Sequence, residues 1–194
     1  MDTEPLFVST SEHKRAEMAE LFALADPDLP EAPEVQAATL ETIAKAKAKN
    51  AFYAVNMANV RKQGWVRWLF STTPLYPVVV EDSSLELDAW GGAPGAYIKW
   101  TLDAHGAAGL WALVEPTGNY TATARSAVVY YYKAWGEERI QCCTHTVQGR
   151  LCLHGAKALA TTASFSRTGA PRRLQRWVPS ASATRHAGLR PVAS

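Results

Sequence analysis

Short apolar runs alternate with amphipathic stretches along this chain of 194 residues. Leu6-Phe7-Val8 is the first such run and reads as a strand leading into the polar Ser9-Thr10-Ser11-Glu12-His13-Lys14. From Lys14 to Leu24, Met18, Leu21 and Phe22 fall at helical spacing, and Asp26-Pro27 stops the helix they predict. Ala37 to Val55 reads as a second helix, with Leu40, Ile43, Ala44 and Ala51 on one face and Lys45, Lys47 and Lys49 mostly on the solvated one. Residues 56 to 76, rich in aromatic and basic side chains, read as an insertion packed on the sheet. Val78-Val79-Val80 follows Pro77, is wholly apolar and β-branched, and reads as a buried strand ending at Glu81-Asp82. The glycines of Gly91-Gly92-Ala93-Pro94-Gly95 predict a turn, and Tyr97-Ile98-Lys99-Trp100 enters a helix continued by Leu102 to Val114. Ala122 to Lys133 alternates as a strand does, and Glu138 to Leu153 is its hairpin partner through Gly136. Strands interleaved with helices make this an α/β chain.

Composition adds bounds. The length suits one domain, and 47% hydrophobic with 20% charged residues is ordinary for a globular protein. No apolar window approaches the length of a membrane span, and Met1-Asp2-Thr3-Glu4 is unlike a signal peptide, so a cytoplasmic setting without a membrane partner is expected. Three cysteines, of which Cys142 and Cys143 are adjacent, form no disulfide framework, and the five histidines are scattered without zinc-ligand spacing. Charge changes the picture more. Residues 1 to 157 hold 14 Lys plus Arg and all 18 acids, whereas residues 158 to 194 hold six arginines, no lysine and no acid.

The candidate chemistry gathers at Val78-Val79-Val80-Glu81-Asp82-Ser83-Ser84-Leu85 and the glycine turn after it. Two carboxylates offer hard oxygen ligands, the glycines allow close backbone approach, and Lys99 offers a charge for phosphate, a combination that suits a nucleotide. At the other end of the chain, Ser9-Thr10-Ser11-Glu12-His13-Lys14 lies between strand and helix, where free backbone N–H groups meet anions. An ordinary serine N-cap explains that second pattern equally well.

These motifs closely resemble the inosine triphosphate pyrophosphatase family, which reads Val-Glu-Asp-Thr-Ser-Leu and then Gly-Gly-Leu-Pro-Gly-Pro-Tyr-Ile-Lys-Trp. The resemblance implies a central mixed twisted sheet flanked by helices, in two lobes with a nucleotide cleft between them. It implies hydrolysis of non-canonical purine triphosphates (ITP, dITP, XTP) to monophosphate and pyrophosphate, which cleanses the nucleotide pool. Glu34, in Pro33-Glu34-Val35-Gln36, and Asp82 then take the metal positions, for Mg²⁺ or in its place Mn²⁺. Asp82 or Glu81 orients the attacking water, and Ser9, Ser11, Lys14, Lys47 and Lys99 contact the triphosphate. Ser11 stands where the family has asparagine, and Ala37 where it has glycine. The resemblance also implies a homodimer, and it gives no reason to expect nucleic acid as a partner. The alternative is a catalytically impaired nucleotide-binding relative, because the family's base-recognition segment is missing.

That absence begins after Lys157, which divides a nucleotide pyrophosphatase domain, residues 1 to 157, from a divergent tail, residues 158 to 194. The family continues with a Phe-Gly-Tyr-Asp-Pro-Ile-Phe loop, whereas this chain reads Ala158-Leu159-Ala160-Thr161-Thr162-Ala163-Ser164-Phe165. Those eight residues can be written in codons that, with one G restored before them, read Gly-Leu-Gly-Tyr-Asp-Ser-Ile-Phe. The same shift lets Ser166 to Gly169 encode Gln-Pro-Asp-Gly and accommodates Thr-Phe-Ala-Glu-Met at Arg172 to Trp177. Near Arg185-His186 it permits the serine and arginine of the family's Ser-His-Arg but not the histidine. The tail is therefore expected to be an out-of-frame translation. Sequencing the DNA through the Lys157 codon should show one base fewer than in close relatives, and an intact frame there would refute the expectation.

Overall fold

The computed structural model describes residues 3–29, 35–37, 39–63, 75–134, 136–154 and 162–167, at 153–154 and 162–167 by backbone alone. In chain order the elements are β1 (Leu6–Phe7), α1 (Glu12–Met18), β2 (Ala23–Leu24), α2 (Leu40–Gln63), β3 (Val78–Leu87), β4 (Pro94–Gly95), α3 (Ile98–Val114), β5 (Thr121–Ala134), β6 (Glu137–His154) and β7 (Thr162–Arg167). They form one mixed seven-stranded sheet in the order β2-β1-β3-β5-β6-β7, with β4 paired to β3 off that path. The β1 contacts with β2 and β3 are parallel, and the remaining pairings are antiparallel.

Two differences from the pattern reading have clear physical causes. The helix expected over Lys14 to Leu24 ends at Met18, because Ala23 and Leu24 pair with Leu6 and Phe7 instead. Phe22 stacks on Phe7 with ring centroids 6.4 Å apart, so its helical spacing reflects packing against the sheet. The strand expected to stop at Glu81-Asp82 runs on to Leu87, carried by an unbroken ten-residue pairing with β5. The second helix also extends beyond Val55 to Gln63. Buried Asn56 fixes the return of the chain: its Nδ2 donates to the Phe52 and Tyr76 carbonyls, and its Oδ1 accepts from Tyr76 N at 2.8 Å. Residues 64 to 74 of the expected insertion lie outside the described residues.

Period-two alternation along β3 divides the core. Val78 and Val80 turn to one face, where Ala44, Ala48, Ala51, Phe52 and Val55 of α2 cover them together with Ala127, Val129 and Tyr131 of β5. Leu85 and Leu87, of opposite parity, turn to the other face and pack with Ile98, Leu110 and Val114 of α3, Ala122 and Leu151. The sheet thus carries two apolar lobes, one under each half of β3 and on opposite faces. On the first face, alanines at four-residue spacing let α2 approach closely, and Ala44 and Ala48 are fully buried.

That close approach is sensitive to volume. Ala48→Leu inserts three carbons between helix and sheet and should destabilise the fold by about 1–3 kcal/mol, read as a lower urea midpoint at unchanged m-value.

Candidate functional site

The acidic pair of β3 lies where the sheet narrows. On one side of β3, β1 pairs with Val78 and Val79 and β4 pairs with Leu85 and Glu86. The stretch between them, Val80 to Ser84, has no strand partner on that side among the described residues. The Ser9–Lys14 loop and the start of α1 follow directly from β1 at this gap.

Because Glu81 and Asp82 are neighbours in a regular strand, their side chains leave on opposite faces. Glu81, 9% exposed, shares its face with Ser83 and meets α1: the Lys14 ammonium lies 2.5 Å from Glu81 Oε2 and donates to Ser83 Oγ at 3.5 Å. The Lys14 contact is an ion pair without hydrogen-bond alignment, so Oε2 has no aligned donor of its own. Ser126 of β5 donates from Oγ to the other oxygen, Glu81 Oε1, at 2.8 Å. Asp82 shares its face with Ser84 and meets α2: Lys47 Nζ lies 3.8 Å from Asp82 Oδ1 and donates to the Glu81 carbonyl at 3.4 Å. Asp82 Oδ1 also accepts from Ser83 N at 3.1 Å, and the buried Ser84 hydroxyl has no hydrogen-bond partner among the described residues.

The first loop is organised by its own serines. Ser9 Oγ accepts from Ser11 N at 3.2 Å, and Ser11, the N-cap of α1, accepts from Lys14 N at 3.5 Å. The N-cap reading of this motif is thus the one seen directly, and a hydroxyl that accepts from the loop keeps its own proton to donate. Arg15 Nη1 donates to the Ser9 carbonyl at 3.3 Å and closes the turn.

Of the residues singled out in the sequence, Ser9, Ser11, Lys14, Lys47, Glu81 and Asp82 converge on this gap. Lys99 sits exposed on the first turn of α3, its ammonium 5.3 Å from the Trp100 ring centroid, and is not one of the lysines paired with the two carboxylates. Glu34 lies outside the described residues. Ser126 escaped the sequence reading: it is one small polar residue in an alternating strand, and only the register Ser83↔Ser126 brings it to Glu81. Two clefts among the described residues, of about 380 and 280 Å³, lie elsewhere along α2. Convergent charge marks the candidate site.

A family model described as the Ham1 family matches residues 6–158. The chain belongs to the Ham1 family. Among Ham1 relatives, an inosine triphosphate pyrophosphatase of Kluyveromyces lactis is 30% identical over 134 residues, covering 66% of this chain and 60% of its own length. One of the same name from Leishmania major is 40% identical over 87 residues, covering 43% and 32%. The chain thus spans between a third and three-fifths of these relatives. The Ham1 fold is also recovered from solved structures. A HAM1 protein of Coxiella burnetii superposes with a TM-score of 0.57 at 17% identity over 81% of this chain and 78% of that one. A nucleoside-triphosphatase described as a dITP/XTP pyrophosphatase, from Mycobacterium abscessus, gives 0.55 at 22% identity over 85% and 84%.

Helix α1 buries no residue, so the Lys14–Glu81 pair carries much of its docking on the sheet. Lys14→Met should destabilise by about 1–2 kcal/mol, less than the roughly 3–5 of a fully buried pair because Lys14 keeps partial contact with water. Adding Glu81→Gln should recover part of that loss in urea melts, since no buried charge is then left alone.

Proposed function

We propose that this chain is a nucleoside triphosphate pyrophosphatase that hydrolyses ITP, dITP and XTP to the monophosphate and pyrophosphate and so cleanses the nucleotide pool. The observation that carries this reading is the meeting of two carboxylates with two lysines beside a serine loop at the gap in the sheet. Membership in the Ham1 family and the names of the relatives support the substrate class.

The residues divide the work by environment. Glu81 is nearly buried and occupied on both oxygens, by Ser126 and Lys14. Asp82 is about a quarter exposed and holds, on Oδ1, the Ser83 amide and a loose lysine contact, which leaves it the more available carboxylate to orient a water. Lys14 and Lys47 answer the charge of the triphosphate, and their positive charge eases departure of pyrophosphate as negative charge builds on it. The Ser9 and Ser11 hydroxyls donate to phosphate oxygens from a loop already ordered by their acceptor bonds. Lys99 joins from the first turn of α3.

The donor chemistry fits Mg²⁺, which takes oxygen ligands and keeps several waters. Asp82 would hold it together with Glu34, and when bound it supplies charge neutralisation at the phosphate oxygens. We further read the protein as a cytoplasmic homodimer. Among the described residues, no helix is long and apolar enough to cross a membrane. Residues 158 to 194 keep their reading as an out-of-frame segment, with 155–161 and 168–194 outside the described residues.

The test is pyrophosphate release from ITP with Mg²⁺. Asp82→Asn should lower kcat/KM by about 10²-fold or more, the scale of a lost general base. Glu81→Gln should chiefly raise KM, because its charge places Lys14. Turnover unaffected by Asp82→Asn refutes the assignment. Nucleotide binding without turnover in the unmodified chain favours the impaired relative.

A further inference from the structure

Lys14 is the best-anchored cation at the site, yet no buried side chain of its own helix anchors it. Helix α1 has seven residues and none is buried, so apolar packing along α1 does not set the height of the ammonium over the sheet. The anchor comes from the sheet itself. Lys14 Nζ rests against Glu81 Oε2, and Glu81 is held by its other oxygen, Oε1, through Ser126 Oγ at 2.8 Å. The chain of contacts crosses β5, β3 and α1. Its geometry follows from register: Glu81 pairs with Val128 and Ser83 with Ser126, which puts Ser126 on the face of Glu81, one diagonal step away.

A carboxylate held at one oxygen alone swings about its last torsion. Held at both, it presents Oε2 in a fixed direction, and the ammonium follows. Ser126 is the group on β5 that supplies the second hold. We propose that Ser126 is a positioning residue for the triphosphate site, acting through Glu81 to fix Lys14 where it meets phosphate. The proposal rests on the reading of Lys14 as a phosphate-contacting residue. Ser126 itself touches no substrate. Its hydroxyl matters as a donor to a carboxylate, a bond worth about tenfold in an equilibrium when lost from a charged partner.

Threonine and valine at this position separate the hydroxyl from everything else. They share shape and strand preference and differ in the donor alone. The experiment uses the full chain and its Ser126→Ala, Ser126→Thr and Ser126→Val variants. Binding of inorganic tripolyphosphate is measured by calorimetry, and pyrophosphate release from ITP by steady-state kinetics, both with Mg²⁺. Ala and Val should weaken tripolyphosphate binding and raise the KM for ITP by about tenfold, with kcat changed by less than about threefold. Thr should stay within about twofold of the unmodified chain.

Two results overturn the proposal. One is unchanged binding and KM in Ala and Val with only the melting temperature lowered, which marks Ser126 as structural. The other is a Thr variant as impaired as Val. Failure of the enzymatic reading looks different: no variant hydrolyses ITP, yet tripolyphosphate binding still falls in Val and holds in Thr, and the positioning role stands. An unmodified chain that does not bind tripolyphosphate overturns both.

Discussion

The two-residue period of β3 is the constraint on which the site depends. A regular strand cannot turn adjacent side chains to the same face. Glu81 and Asp82 therefore face different layers, and each is met by a lysine from a different helix, Lys14 from α1 and Lys47 from α2. The acidic pair is in this way a junction that ties the first loop, the long helix and the sheet to one point. The sheet makes room for it, because β1 ends before Glu81 and β4 begins after it.

The same alternation explains how so polar a stretch persists in the middle of a sheet. Val78 and Val80 anchor one end of β3 in the α2 core, and Leu85 and Leu87 anchor the other in the α3 core on the opposite face. Between them lies the polar stretch Glu81 to Ser84, where Lys14 meets Glu81 and Lys47 meets Asp82. Burying a hydroxyl without a partner costs roughly 1–3 kcal/mol, and among the described residues the Ser84 hydroxyl is such a group. The two flanking apolar clusters offset that, which lets the polar segment persist in mid-strand without contributing to its own stability.

How much of this was legible in the sequence depended on range. Local signals located most of the elements, though not β2, β4 or β7: the alanine face of α2, the glycine turn before α3 and the hairpin of β5 with β6 were read from short windows. Errors came where a tertiary partner overruled the local pattern. Leu21 and Phe22 carry helical spacing, but the pairing of Ala23-Leu24 with β1 took precedence. Glu81-Asp82 looked like a strand end because charge seldom continues a buried strand, and only pairing with β5 carries β3 through it. For the site, motif resemblance supplied the residue types and structure supplied the pairing. That Lys14 belongs to Glu81 and Lys47 to Asp82 follows from which face each helix covers, a property no single window contains. Ser126 was illegible for the same reason, since its role depends on register across β3 and β5.

A site whose charges are already paired constrains what can bind there. Lys14 and Lys47 are held by the carboxylates that flank them. A polyanion arriving alone draws the lysines away and leaves Glu81, almost wholly buried, with Ser126 as its remaining partner. A cation arriving alone competes with the lysines for the same oxygens. Each lone arrival strands a charge that the fold had paired, and stranding a charge in a partly dry site is costlier than in water. A ligand that brings both signs at once replaces both partners and strands neither. On the proposed reading, the arrangement suits a polyphosphate accompanied by its counter-cation better than either component by itself. It follows from the strand geometry before any substrate is named, because the same alternation that separates the two carboxylates gives each of them its own lysine.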